Sequence, residues 1–129
     1  LLITHDLGVV AEMADDVVVM YAGRVVEKAP VGDLFGKPLH PYTRGLFASL
    51  PRVDREDDRL QAIEGNVPPP TQFPAGCRFR ERCSLAAEKC HQDPPLVELE
   101  PGHFSACWFS REIAAGELTE PSAAVKAAP

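Results

Sequence analysis

Residues 1–28 read LLITHDLGVVAEMADDVVVMYAGRVVEK, and this stretch decides the fold class. Leu1-Leu2-Ile3-Thr4 reads as a short buried strand. Asp6 is placed to cap the helix after it, its carboxylate accepting from backbone N–H groups that a first helical turn leaves unpaired. Leu7, Val10, Ala11 and Ala14 then fall at i, i+3, i+4 and i+7, one apolar stripe of an amphipathic helix. Asp16-Val17-Val18-Val19-Met20-Tyr21 is β-branched and nearly continuous, which suits a strand covered on both faces. Gly23 supplies the positive φ of a tight turn. Arg24-Val25-Val26-Glu27-Lys28 returns as the hairpin partner, its charges placing it nearer a sheet edge. Buried strand, helix and strand in this order predict the end of an α/β domain.

Beyond this stretch, Pro30 to Gly36 reads as a short helix ended by Gly36 and Pro38. Pro41 is suited to the first position of another helix, with Tyr42, Leu46, Phe47 and Leu50 on its buried side and Pro51 as its stop. Residues 52–59 are dominated by charge and read as a solvated linker. After Pro51 the composition shifts: most of the 13 prolines lie there, and the four cysteines fall between Cys77 and Cys107. The division expected is therefore 1–51 for the α/β part, 52–72 for a linker, 73–109 for a small, loop-rich cysteine module, and 110–129 for a disordered tail rich in Ala, Glu and Pro. The opening on Leu1 without an initiator Met, already in strand-like use, reads as the middle of a larger domain.

The bulk numbers narrow the class. With 45% hydrophobic and 25% charged residues in 129, the chain reads as globular. A net charge of −6 argues against nucleic acid as a partner, because phosphate neutralisation needs clustered Lys and Arg. It argues equally against a polybasic membrane anchor. The longest strongly apolar run, Val17 to Ala22, is too short to cross a bilayer, and no amino-terminal targeting pattern is present.

Thr4-His5-Asp6 sits where the predicted strand gives way to the helix. In open α/β sheets ligands bind at that carboxyl end, so His5 is a candidate donor to a terminal phosphate. Position alone favours a partly buried histidine satisfying a neighbouring carbonyl. The neighbours alter that weighting. Leu2-Ile3-Thr4-His5-Asp6-Leu7-Gly8-Val9-Val10, with Ala14-Asp15-Asp16 through Glu27, closely resembles the switch-histidine region of ABC ATPases. His40-Pro41-Tyr42-Thr43-Arg44-Gly45-Leu46-Phe47-Ala48-Ser49-Leu50-Pro51 resembles the segment immediately after the ATPase core in the oligopeptide/dipeptide importer branch. Pro74-Ala75-Gly76-Cys77-Arg78-Phe79 through Arg82-Cys83, with Gly102-His103 and Ala106-Cys107-Trp108, resembles that branch's carboxy-terminal extension.

The resemblance covers roughly residues 1–109 and implies a fold: the carboxy-terminal end of an ABC-type nucleotide-binding domain, then the cysteine-bearing extension. It implies that His5 contacts the γ-phosphate of ATP and helps position the attacking water. ATP and Mg would be held mostly by upstream elements, since this chain has no G-x-x-x-x-G-K-[ST] loop, acidic strand end or signature loop. The partners implied are a second ABC ATPase subunit, two permease subunits and, indirectly, a peptide-binding protein. The location implied is the cytoplasmic face of the cell membrane, as a peripheral subunit. Alone, the chain is expected to hydrolyse nothing.

The cysteines are spaced Cys77-x5-Cys83-x6-Cys90-x16-Cys107. Structural zinc sites pair ligands two to four residues apart, which no gap here matches. Disulfides need an oxidising compartment. A 4Fe–4S cluster takes four thiolates at varied spacing and is the favoured single reading, with four unliganded thiols as the plain one. A stand-alone metal-binding or redox module built on these cysteines is the alternative function. His91 and His103 could each replace a thiolate, but surface or capping roles are expected for both. Arg78, Arg80 and Arg82 read as a solvated face, Trp108 as core or a lid over the site, and Tyr21 as packing within the hairpin.

Overall fold

The computed structural model describes residues 1–50 and 62–118. Asp6 Oδ1 accepts from the amides of Gly8 and Val9 at 3.0 and 3.2 Å and so starts α1 (Leu7–Met13). The strand expected at Leu1 to Thr4 is not formed, and these residues are exposed. A strand persists only within a ladder, and no other described segment pairs with this one.

The hairpin forms as expected, from β1 (Asp16–Tyr21) and β2 (Arg24–Pro30). Its two-residue turn has positive φ at both positions, 49° at Ala22 and 79° at Gly23. That is the primed geometry whose twist matches the flanking strands. The expected roles of the two strands are reversed. β1 lies at the sheet edge, with Val18 and Met20 half exposed, while β2 is an inner strand. Charge in β2 does not mark an edge, because Glu27 is fully buried and satisfied internally.

Pro30 leads into α2 (Val31–Gly36), and His40 caps α3 (Pro41–Ala48), with Pro41 in its first turn. Phe35 and Phe47 stack at 4.7 Å between ring centroids. On α3 the most buried residues are Pro41 and Thr43; Tyr42, Leu46 and Phe47 are half buried and Leu50 is exposed. The proposed stop at Pro51 and the charged linker at 52–59 lie outside the described residues.

The remainder is built of single 3-10 turns, at Pro70–Gln72, Arg80–Arg82 and Glu88–His91, then β3 (Val97–Glu100), β4 (His103–Ser105) and α4 (Ser110–Ala114). The four strands make one antiparallel sheet in the order β1-β2-β4-β3. β2 pairs with β4 through Glu27–Ser105 and Lys28–Phe104, so the sheet spans the compositional boundary at Pro51. α4 replaces the disorder expected from residue 110: Ser110 and Ile113 are buried, and Ser110 Oγ donates to Ser105 Oγ at 2.7 Å. Residues 119–129 of that predicted tail lie outside the described residues.

The core is likewise shared. Tyr21, Val26 and Phe79 are buried together, with Tyr42, Ile63, Cys77 and Cys83 packed against them. Phe79 meets Tyr21 edge-on at 5.1 Å and Tyr42 at 5.5 Å. The arginine run is structural rather than a solvated face. Arg78 donates to the carbonyl of Ala22 in the hairpin turn and lies over Phe73. Arg82 donates to the carbonyls of Glu64 and Ile63, and Arg80 to that of Ala75.

Candidate functional site

His5 stands exposed one residue before the helix cap. Asp6 holds the turn beside it through its two amide contacts, and the Asp6 amide donates to Thr4 Oγ1 at 3.0 Å. The imidazole is therefore presented from a capped helix start. It lies on the opposite side of the 51–61 segment from the cysteines in sequence, and it lines neither of the two cavities around Cys77.

All four cysteines come to one place. Cys77, Cys83, Cys90 and Cys107 line a single narrow pocket, closed in part by Phe79 and Trp108. Trp108 is fixed there as a lid: its indole N–H donates to the carbonyl of Gln92 at 3.0 Å, and Lys89 lies 4.6 Å above its ring. Gly76 makes the convergence sterically feasible. Its φ is +78°, and a Cβ there would lie 2.5 Å from the carbonyl oxygens of Cys90 and His91. The Cys77 amide donates across this crossing to the Cys90 carbonyl at 3.0 Å.

Burial pushes the Cys83 thiol up to about 12 and the Cys107 thiol up to about 11, and raises Cys77 as well. At neutral pH these groups are protonated, so any metal taken up there must displace protons. The pocket has a volume of about 10 Å³, room for about one water. Among the described residues no group of three or more His, Cys, Asp or Glu is arranged to hold a metal ion. The four cysteines thus share one narrow pocket.

A buried polar hub beside this pocket escapes the sequence reading. Glu27, fully buried on β2, accepts from the Leu39 amide at 2.7 Å, the His40 amide at 3.0 Å and His103 Nε2 at 2.6 Å. His103 is thus neither a surface nor a capping residue; it is 1% exposed. His91 is exposed, as expected. His40 accepts from the Tyr42 amide through Nδ1 at 3.0 Å, capping α3, and its ring also lines the cysteine pocket. The one sequence signal for the hub was a glutamate in the middle of an apolar strand.

A second cavity, of about 110 Å³, opens next to the first. Tyr21, Arg24, Cys77, Arg78, Asp93 and Leu96 are among the residues around it, and Arg24 and Asp93 are ion-paired. Of the four cysteines, Cys77 alone lines both cavities.

Comparison with known proteins gives a consistent result. Residues 26–90 match the family described as oligopeptide/dipeptide transporter, C-terminal region. The oligopeptide transport ATP-binding protein AppD of Bacillus subtilis is 54% identical over 113 residues, covering 87% of this chain and 34% of that protein. A probable peptide ABC transporter ATP-binding protein of Sinorhizobium fredii is 51% identical over 113 residues, covering 86% of this chain and 34% of its own. A putative peptide import ATP-binding protein of Brucella melitensis is 47% identical over 107 residues, covering 83% and 32%. The chain spans about a third of the length of these curated relatives. They give no support to the alternative of a stand-alone metal-binding or redox module.

Proposed function

The chain belongs to the oligopeptide/dipeptide transporter C-terminal region family, and from that premise we propose that it is the carboxy-terminal part of an ATP-hydrolysing subunit that energises peptide import. The observation that carries the reading is 54% identity across 87% of the chain to an oligopeptide transport ATP-binding protein. The whole subunit would work as a peripheral protein on the cytoplasmic face of the membrane. Its partners would be a second ATPase subunit and two permease subunits, with a peptide-binding protein delivering the substrate. Among the described residues no helix is long and apolar enough to cross a membrane.

In this proposal His5 is the switch histidine. An imidazole at a capped helix start is exposed and free to meet a phosphate supplied by the rest of the subunit. Its contribution is a hydrogen-bond donor placed where negative charge develops as the γ-phosphate is cleaved. ATP and Mg are gripped by parts of the subunit that lie outside this chain. His5→Ala in the full-length subunit, assembled with its partners, is therefore expected to leave nucleotide binding largely intact. Hydrolysis and transport should fall by about 10²–10³-fold, the usual cost of one such donor. Near-normal turnover of the variant would remove His5 from the mechanism.

A second proposal concerns Cys77, Cys83, Cys90 and Cys107 as the ligands of a 4Fe–4S cluster, favoured by their convergence on one pocket. A cluster requires that pocket to widen and its thiols to lose their protons. Protein prepared without oxygen should then be brown, with roughly four irons per chain. Colourless, iron-free protein with four titratable thiols rejects the cluster, and stoichiometric zinc replaces it with a different metal.

A further inference from the structure

His5 is the middle residue of three whose outer two are tied to each other. The Asp6 amide donates to Thr4 Oγ1 at 3.0 Å, closing a small loop across His5. Asp6 is tied twice more. Its Oδ1 accepts from the Gly8 and Val9 amides at 3.0 and 3.2 Å, and its carbonyl accepts from the Val10 amide at 3.2 Å. Amide, carbonyl and side chain of Asp6 are thus all engaged. Gly8 leaves room for the carboxylate, since a Cβ there would lie only 3.3 Å from Asp6 Oδ1. Among the described residues the exposed His5 imidazole has no hydrogen bond of its own, so its direction is set through the backbone.

From this geometry we propose that Asp6 and Thr4 are positioning residues for ATP hydrolysis, fixing the backbone from which His5 reaches the γ-phosphate. The inference rests on the reading of His5 as the switch histidine. Asp6 serves as a hydrogen-bond acceptor, not as a charge or a base. Its contacts are to neutral amides, and the amide oxygen of an asparagine caps a helix equally well. Thr4 serves through its hydroxyl oxygen, which accepts from the backbone two residues on and so bends the chain around His5.

Placement of this kind matters because a shift of about 1 Å in a reacting group can cost ~10²-fold in rate. Without the cap, the first turn of α1 frays and the His5 backbone samples directions that miss the phosphate. Only the aligned fraction reacts, so the loss falls on kcat. The KM for ATP is spared, because in this reading ATP is gripped outside this chain. The fold is spared as well: α1 contains no buried residue, so loosening its start uncovers no core.

The test compares full-length subunits assembled with their partners, measuring kcat and KM for ATP hydrolysis together with the melting temperature. Asp6→Ala is expected to lower kcat by about 5-fold or more, the weight of one lost cap, with KM and melting temperature little changed. Asp6→Asn keeps the acceptor without the charge and should restore kcat to within about 2-fold of the parent. Thr4→Ser should likewise keep kcat, whereas Thr4→Val, the same shape without the oxygen, should lower it. In the His5→Ala background, Asp6→Ala should cost less than about 2-fold more, because the residue it positions is gone. Asp6→Asn as poor as Asp6→Ala would make the carboxylate charge the operative feature. An equal fall from Asp6→Ala in both backgrounds would show Asp6 acting without His5. Either result sinks the inference and leaves His5 in the mechanism. Near-normal turnover of His5→Ala alone removes the switch reading and this inference together.

Discussion

His40 is held at three points. Its amide donates to Glu27 Oε2, Nδ1 accepts from the Tyr42 amide, and the ring also bonds the Ala106 backbone. It is 1% exposed, and burial drives its pKa down to about 3. The sign of the linkage is fixed by that depression. Below its ordinary value of 6.5 the unfolded chain takes up a proton that the folded chain refuses until about pH 3. Stability from this group is therefore complete above 6.5 and is lost as the pH falls, at up to ~1.4 kcal/mol per unit. His40→Asn keeps an acceptor that can cap α3 but removes the titration. Between pH 6.5 and 5, above the carboxylate range, its melting temperature should fall less steeply than that of the parent protein. Parallel curves would show that His40 does not control the acid limb. Apart from the charge of Glu27 within β2, nothing local in sequence announced this hub, because His103 lies 76 positions from Glu27. A buried carboxyl with one distant partner reads, on local pattern, as an exposed charge.

Among the helices and strands, the sequence was informative where signals are local. The Asp6 cap, the Ala22–Gly23 turn, the first-turn position of Pro41 and the short helix after Pro30 each depend on residues a few positions apart, and each was legible. Signals that depend on a distant partner were not. Val97–Glu100 and His103–Ser105 are too short to show a persuasive alternation, and they are strands because β2 offers an unpaired edge to β4. The stretch Leu1–Thr4 has the composition of a buried strand but no partner among the described residues, so it remains exposed. α4 was hidden by the composition of its neighbourhood: the small and charged residues around 110–118 suggested disorder, yet Ser110 and Ile113 give it two anchors. For the candidate site, the four cysteines were legible as a set. Their convergence through the Gly76 crossing, and the protonated state that burial imposes, were not.

For the whole molecule, the decisive feature is that the hairpin and the cysteine-bearing segment share both a sheet and a core. β2 pairs with β4, the Ala106 amide donates to the Val26 carbonyl at 2.8 Å, and Phe79 is 4% exposed against Tyr21 and Tyr42. Units that share a core unfold together, because neither can expose its apolar face without stripping the other. Phe79 offers the sharpest test of this coupling, since it belongs to the cysteine segment yet is packed against the hairpin and α3. Phe79→Ala removes a buried ring and its contacts with the rings of Tyr21, Tyr42 and His40, a loss of about 3–5 kcal/mol. A loss of that size lowers the melting temperature through one transition, not two. Amide exchange supplies the finer reading: protection should fall together in β1, β2 and β4, with the 77–90 crossing affected in parallel. If instead Phe79→Ala freed the cysteine segment while Val19, Val26 and Ala29 kept their protection, the two parts would be independent units, and the shared sheet would be a weak contact.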